Sequence, residues 1–202
     1  MSEPSARGPS DYRYKPLNVA DSDEEPRNFR LLTILPGSGD ELIKCHIDIF
    51  DLPRGNDGAQ ICYEALSWTW GEHEGRSVIS VVERGPGDER RLFSVRPNLY
   101  QALKNLRSSR QPKVLWVDYV CINQSDSHEK GQQVKILSNI YRRASKVCIW
   151  LGEHENDSKN AIDLIRDKCN DLSNREEFIQ GKNLKDEWKP LAALMDRQWF
   201  RQ

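Results

Sequence analysis

The stretch YEALSWTWG, Tyr63 to Gly71, reads as a buried strand that runs straight into a turn, with a serine and two tryptophans at the strand's end. The same plan recurs in VLWVDYVCINQ, Val114 to Gln124, where an apolar strand ends in an aspartate and a turn loaded with amide side chains follows. KVCIWLGEHEND, Lys146 to Asp157, is a third copy. Between the first two, Pro97 opens a helix in its first turn, where a missing N–H costs nothing, and Leu99, Ala102, Leu103 and Leu106 follow as one apolar stripe. Between the last two, Asp126 stands three residues before Glu129, a capping-box arrangement ahead of Val134, Leu137, Ile140, Tyr141 and Ala144. Strands alternating with helices predict an α/β fold with a parallel-sheet core, right-handed crossovers and helices on both faces. Ligands of such sheets sit beyond the carboxyl ends of the strands, so Ser67, Trp70, Gly71, Asp118, Asn123 and Gln124 are candidate ligand contacts.

Outward from this core, Phe29–Leu35 and Glu41–Leu52 read as two strands joined through Pro36-Gly37-Ser38-Gly39-Asp40, an added N-terminal β-hairpin. Ser77–Val82 and Arg91–Val95 form a second hairpin, closed by Gly85-Pro86-Gly87-Asp88. Residues 1–28 are rich in Ser, Pro, Asp, Glu and Arg and cannot bury enough apolar surface to offset their ordering entropy. They are expected to be a mostly disordered tail, with YRYKPL (Tyr12 to Leu17) as a segment able to dock on the domain, which itself is expected to span 29–202. After the third strand, Asn156, Asp157 and Ser158 offer caps for a helix carrying Ala161, Ile162, Ile165 and Cys169. A final stripe of Trp188, Leu191, Leu194 and Met195 stops abruptly near Trp199-Phe200, and the domain is expected to continue beyond Gln202.

Composition excludes several function classes. The 202 residues carry a net charge of -1, which argues against a general nucleic-acid binder, since phosphate neutralisation needs a concentrated basic face. No apolar run approaches the length of a membrane span, and the N-terminus lacks the apolar core of a secretory signal, so a cytoplasmic location is expected. Cys45, Cys62, Cys121, Cys148 and Cys169 sit in or beside apolar runs without a C-x-x-C pair, as reduced core thiols do. His46, His73, His128 and His154 show no ligand spacing, so no metal site is expected. Neither a phosphate-binding P-loop nor a G-x-G-x-x-G fingerprint is present, and no cofactor is assigned. Cys121, near Asp118, Asn123 and His128, invites a thiol-nucleophile reading, but nothing in the spacing supplies a held base or a glycine-rich elbow.

The three blocks YEALSWTWG, LWVDYVCINQ and EKGQQVKILSNIYRRASKVCIWLG, together with YRYKPL and FRLLTILPG, resemble the signature of the fungal heterokaryon incompatibility (HET) domain. Members of that family commonly carry tyrosine where this chain has Trp68, which keeps an aromatic in place. The resemblance implies an effector of fungal non-self recognition and programmed cell death, a form of innate immunity, with self-association and other incompatibility or NLR-type proteins as partners. In outline the order of elements also resembles TIR domains, a flavodoxin-like fold that includes self-assembling adaptors and enzymes that cleave NAD with a glutamate.

The TIR outline makes NAD a possible substrate and, carried over by order, makes Glu153 and Glu155 catalytic candidates after the third strand. Asp163 is the third, because the TIR glutamate lies on the following helix, where this chain offers only aspartate. Such chemistry needs a carboxylate near the ribose as nicotinamide departs. Two readings of each crevice residue stay open. Trp68 and Trp70 share a face and are core, or Trp70 forms a pocket wall for a flat ring. Asp118 accepts hydrogen bonds from the amides of its own loop, or it contacts a ligand. If Glu153 and Glu155 face Asp118 across the crevice, like-charge repulsion raises their pKa values. Trp116 and Trp150 lie mid-strand in runs apolar on both faces and are expected to be largely buried.

Overall fold

Strand β1 (Asn28–Ile34) has a nearly continuous apolar middle, Phe29, Leu31 and Leu32, and is buried on both faces. That burial follows from its position in the computed structural model, which describes residues 12–17, 28–53, 61–71, 75–85, 89–155, 158–170 and 189–201. β1 pairs antiparallel with β2 (Lys44–Asp51) in an unbroken register from Asn28↔Asp51 to Ile34↔Cys45. Its other edge pairs antiparallel with β6 (Lys113–Trp116), Leu32 lying opposite Leu115. β3 (Glu64–Trp68) runs parallel between β6 and β7 (Lys146–Trp150). β4 (Ser77–Val82) and β5 (Arg90–Val95) form the second hairpin, and β4 joins β2 in parallel. The result is one seven-stranded mixed sheet in the order β5-β4-β2-β1-β6-β3-β7.

The three expected parallel strands are therefore present and adjacent. The N-terminal hairpin, however, is not an addition to the core. It is the middle of the sheet and links the parallel trio to the β4–β5 hairpin. The apolar character of β1 on both faces is the physical reason, because a strand buried on both sides is most stable between two neighbours.

Helix α1 (Pro97–Leu106) begins with proline in its first turn and buries Leu99, Ala102 and Leu103. The second strand stops two residues earlier than expected. Val117 is still extended at φ -136, ψ 115, and Asp118 opens a single helical turn, α2 (Asp118–Cys121), instead of closing the strand. Asp126 caps α3 (Ser127–Lys135), accepting from the amides of His128 and Glu129 as the spacing predicted. The expected long helix then breaks at Ile136 (φ -98, ψ 2), and α4 (Leu137–Arg143) follows. The inward stripe is Glu129, Gln133, Ile136 and Ile140, at steps of four, three and four. Val134, assigned to the apolar stripe by sequence, is 55% exposed because the polar Glu129 and Gln133 hold the buried side.

Tyr12–Leu17 docks as a strap on this unit. Tyr12 and Tyr14 pack edge-on against each other and against Phe93, and Leu17 is buried. Asn28, the last residue of the expected N-terminal tail, opens β1, and the rest of that tail lies outside the described residues. Trp116 is fully buried, whereas Trp150, expected to match it, is half-buried because β7 is the edge of the sheet. Cys45 and Cys121 are buried and Cys148 is half-buried, but Cys62 is exposed, contrary to the core reading for all five.

The chain divides into two units, Met1–Trp150 and Leu151–Gln202. The second contains α5 (Ser158–Asn170) packed against α6 (Lys189–Met195), with Ala161 and Leu194 buried. Among the described residues no helix is long and apolar enough to cross a membrane.

Candidate functional site

The carboxyl ends of the parallel strands carry a cluster built around Asp118. Its Oδ1 accepts from Trp68 Nε1 at 2.9 Å and from the Tyr119 amide at 2.7 Å, and its Oδ2 accepts from Trp70 Nε1 at 3.1 Å. The two indoles stack with ring centres 6.2 Å apart and planes 18° from parallel. Tyr119 meets both edge-on, at 5.9 and 5.3 Å. β3 delivers Trp68 at its last position, and Trp70 follows after the buried Thr69. Gly71 then takes a positive φ of 66°, which lets the chain turn away at once.

Two residues not singled out in the sequence complete the cluster. The Arg96 guanidinium lies 5.2 Å from the Trp70 ring centre and 6.0 Å from that of Tyr119, a cation over two aromatic faces. Its Nη1 donates to the carbonyls of Trp70 and Gly71, both at 3.2 Å. Asn98, in the first turn of α1, donates to the Thr69 carbonyl at 2.7 Å and accepts from Trp150 Nε1 at 2.8 Å. One amide therefore ties the end of β3 to the end of β7.

The turn after Asp118 is held from behind by a buried ion pair. Arg30 on β1 is 1% exposed and Glu129 on α3 5%, and they meet through two hydrogen bonds of 2.6 and 2.9 Å. Arg30 Nη1 also donates to the Cys121 carbonyl at 3.1 Å, while Glu129 Oε1 accepts from the Asn123 amide at 2.7 Å. Gln124 Nε2 closes the turn onto the Asp118 carbonyl at 3.0 Å. The capping-box spacing identified Glu129, but its carboxylate is turned toward Arg30, a partner 99 residues away.

Burial sets the chemistry available here. The Cys121 thiol is pushed up to about 12 by burial, which removes it as a nucleophile at neutral pH. Burial, aided by the Asp118 charge, pushes the Tyr141 hydroxyl up to about 12, and its ring meets Trp116 edge-on at 5.4 Å.

Of the residues expected to contact a ligand, Trp70, Gly71, Asp118 and Gln124 belong to this cluster or its turn. Asn123 contributes its backbone amide to Glu129 and its side-chain oxygen to the Ser125 amide at 3.2 Å. Ser67 is half-buried on β3, in register with Ile149. The three catalytic candidates belong to the second unit. Glu153 and Glu155 are exposed in a loop whose backbone is held by Arg197, Nη1 to the Leu151 carbonyl at 2.9 Å and Nη2 to the Glu155 carbonyl at 3.1 Å. Asp163 accepts from Arg166 at 2.9 Å on α5. No cluster of potential metal ligands occurs among the described residues.

Residues 63–202 match the family described as heterokaryon incompatibility protein (HET). The chain is also similar to heterokaryon incompatibility protein 6, OR allele, of Neurospora crassa, with 33% identity over 178 residues, 80% of this chain. It spans 25% of that relative's length. No solved structure matches it.

Proposed function

The chain belongs to the heterokaryon incompatibility family, and we propose that it is an effector domain of fungal non-self recognition that triggers programmed cell death through regulated self-association of activated copies. It works in the cytoplasm, where other incompatibility or NLR-type proteins switch it on. The parallel trio and its helices form a TIR-like core under this reading.

The observation that carries self-association is strand β7. It is an edge of the sheet, and Val147 and Ile149 on one of its faces are 46% and 51% exposed. An edge strand presents unpaired backbone groups, a template for another strand. The sequence Lys146-Val-Cys-Ile-Trp150 is self-complementary about Cys148. Antiparallel pairing with a second copy sets Val147 opposite Ile149 and Lys146 opposite Trp150, apolar against apolar and cation against aromatic.

A second reading, cleavage of NAD at the nicotinamide–ribose bond, rests on the aromatic faces of Trp70 and Tyr119 beyond the carboxyl ends of the strands. Asp118 is poorly suited to catalysis there, since its carboxylate already accepts three hydrogen bonds. The carboxylate candidates that remain for this reading are Glu153, Glu155 and Asp163, all of the second unit. Incubating concentrated domain with NAD while following nicotinamide release and sedimentation separates the two readings. Self-association predicts concentration-dependent assembly and intact NAD. Nicotinamide release that is lost in Glu153→Gln/Glu155→Gln overturns it in favour of catalysis.

A further inference from the structure

The Asp118 turn is gripped at three positions, Val120, Cys121 and Asn123, by groups that have no part in the cluster's own chemistry. Tyr14 Oη donates to the Val120 carbonyl at 2.9 Å, Arg30 Nη1 to the Cys121 carbonyl at 3.1 Å, and the Asn123 amide donates to Glu129 at 2.7 Å. The first of these comes from the Tyr12–Leu17 strap, and the strap also fixes the second. Arg30 Nη2 donates to the Lys15 carbonyl at 2.7 Å, and its guanidinium lies 4.7 Å from the Tyr14 ring centre. Arg30 thus has one arm on the strap, one on the turn and both on Glu129. A planar fork with fixed donor directions cannot move toward one partner without leaving another.

We propose that Tyr14 and Lys15 of the strap, acting through the Arg30–Glu129 pair, are positioning residues for the Asp118 turn, so that the N-terminal segment sets the geometry of the Trp68–Trp70–Asp118 cluster. The route is short. Strap release takes the Lys15 carbonyl from Arg30 Nη2, which keeps only Glu129, and the Tyr14 hydroxyl from the Val120 carbonyl. Arg30 shifts, the turn from Val120 to Asn123 loosens, and Asp118 at its head loses its fixed aim at the two indoles. The strap is held by a short set of contacts outside the sheet's ladders: the Tyr12 amide on the Leu92 carbonyl at 3.2 Å, the bonds of Tyr14 and Lys15, the two tyrosine rings edge-on to Phe93, and the buried Leu17. A segment of six residues held in this way can open locally, below the global unfolding free energy. The inference holds whether the domain works by assembly or by catalysis.

Amide exchange and indole proton resonances on the full chain test it. Tyr14→Phe removes only the hydroxyl bond to Val120, and Tyr14→Ala also removes the ring beneath Arg30. The expected result is faster exchange at the amides of Cys121, Ile122 and Asn123, about threefold for Tyr14→Phe and about tenfold for Tyr14→Ala. The Trp68 and Trp70 indole N–H resonances move with them, while the Ser80 amide, bonded to the Ile43 carbonyl at 2.8 Å in the opposite half of the sheet, keeps its rate. A strap that only adds overall stability accelerates Ser80 as much as the turn and leaves the indoles in place, which overturns the proposal. Unchanged turn amides in Tyr14→Phe overturn it as well, and that variant decides alone if Tyr14→Ala does not fold.

Discussion

Two carboxylates stand at opposite ends of the same three parallel strands, and they are treated very differently. At the amino ends, Glu64 meets Lys113 at 3.0 Å, Lys146 at 3.1 Å and the Cys148 thiol at 3.0 Å. At the carboxyl ends, Asp118 is held by two indole N–H groups and a backbone amide, all neutral donors. Lysines are long point-charge donors, and although Lys113 and Glu64 are only 24% and 18% exposed, Lys146 is 60% exposed, so the Glu64 cluster is a partly screened network that fixes less geometry. Indoles have two torsions and a single donor direction, so the Asp118 end is a rigid one. Charge alone does not decide how firmly a carboxylate is held. Directional neutral donors beneath aromatic faces hold one more firmly than lysines do.

The largest effect that can break this comparison lies under the carboxyl end. Trp116→Ala is expected to cost about 3–5 kcal/mol in a denaturant melt, with Trp150→Ala clearly less because its ring is half-buried. Equal losses contradict β7 being an edge strand. Arg30→Ala belongs in the same range, about 3–5 kcal/mol, because it leaves Glu129 buried and unpaired, whereas Arg30→Met combined with Glu129→Leu recovers most of that loss.

Asp118→Ala comes next. It strands the indole N–H of buried Trp68, that of half-buried Trp70 and the Tyr119 amide, for about 2 kcal/mol, and Asp118→Asn, which keeps an acceptor, costs about half as much. The smallest effect is expected at the other end. Glu64→Gln costs less than about 1 kcal/mol at neutral pH and fades in high salt.

The two ends also part with pH in opposite directions. Burial raises the Glu64 pKa, but the bonds from Cys148, Lys113 and Lys146 outweigh it and hold the carboxyl below its ordinary 4.5. Its contribution is present above pH 4.5 and is lost as pH falls through the lower folded value, so wild type and Glu64→Gln converge in acid. Tyr141, beneath the carboxyl end, holds its proton to about 12 against an ordinary 10.0. Its contribution is complete below pH 10.0 and is lost as pH rises toward 12, a loss that Tyr141→Phe removes from the alkaline melt.

Local signals carried much of this fold. Pro97, the Asp126 cap, both hairpins and the three strands with polar ends were legible because each depends on residues close in sequence. The order of the sheet was not, because hairpin signals report who pairs with a neighbour and say nothing of what β1 does with its other edge. The cluster was half legible. Trp70 and Asp118 announce themselves at strand ends, but Arg96 and Asn98 reach the Trp70 turn from the start of α1, more than 20 residues on. Glu129 shows the limit most clearly. Its spacing after Asp126 satisfied a local capping rule, and a distant arginine with a better geometric match took its carboxylate.

The claim that the domain kills by assembling, with the Asp118 cluster as rigid support, is tested most directly by the fraction of fungal cells that die on expressing variants of equal thermal stability. Ile149→Lys should abolish killing by charging the β7 edge, and Glu153→Gln/Glu155→Gln should kill as wild type does. Killing that survives Ile149→Lys but disappears with the two glutamines contradicts the account.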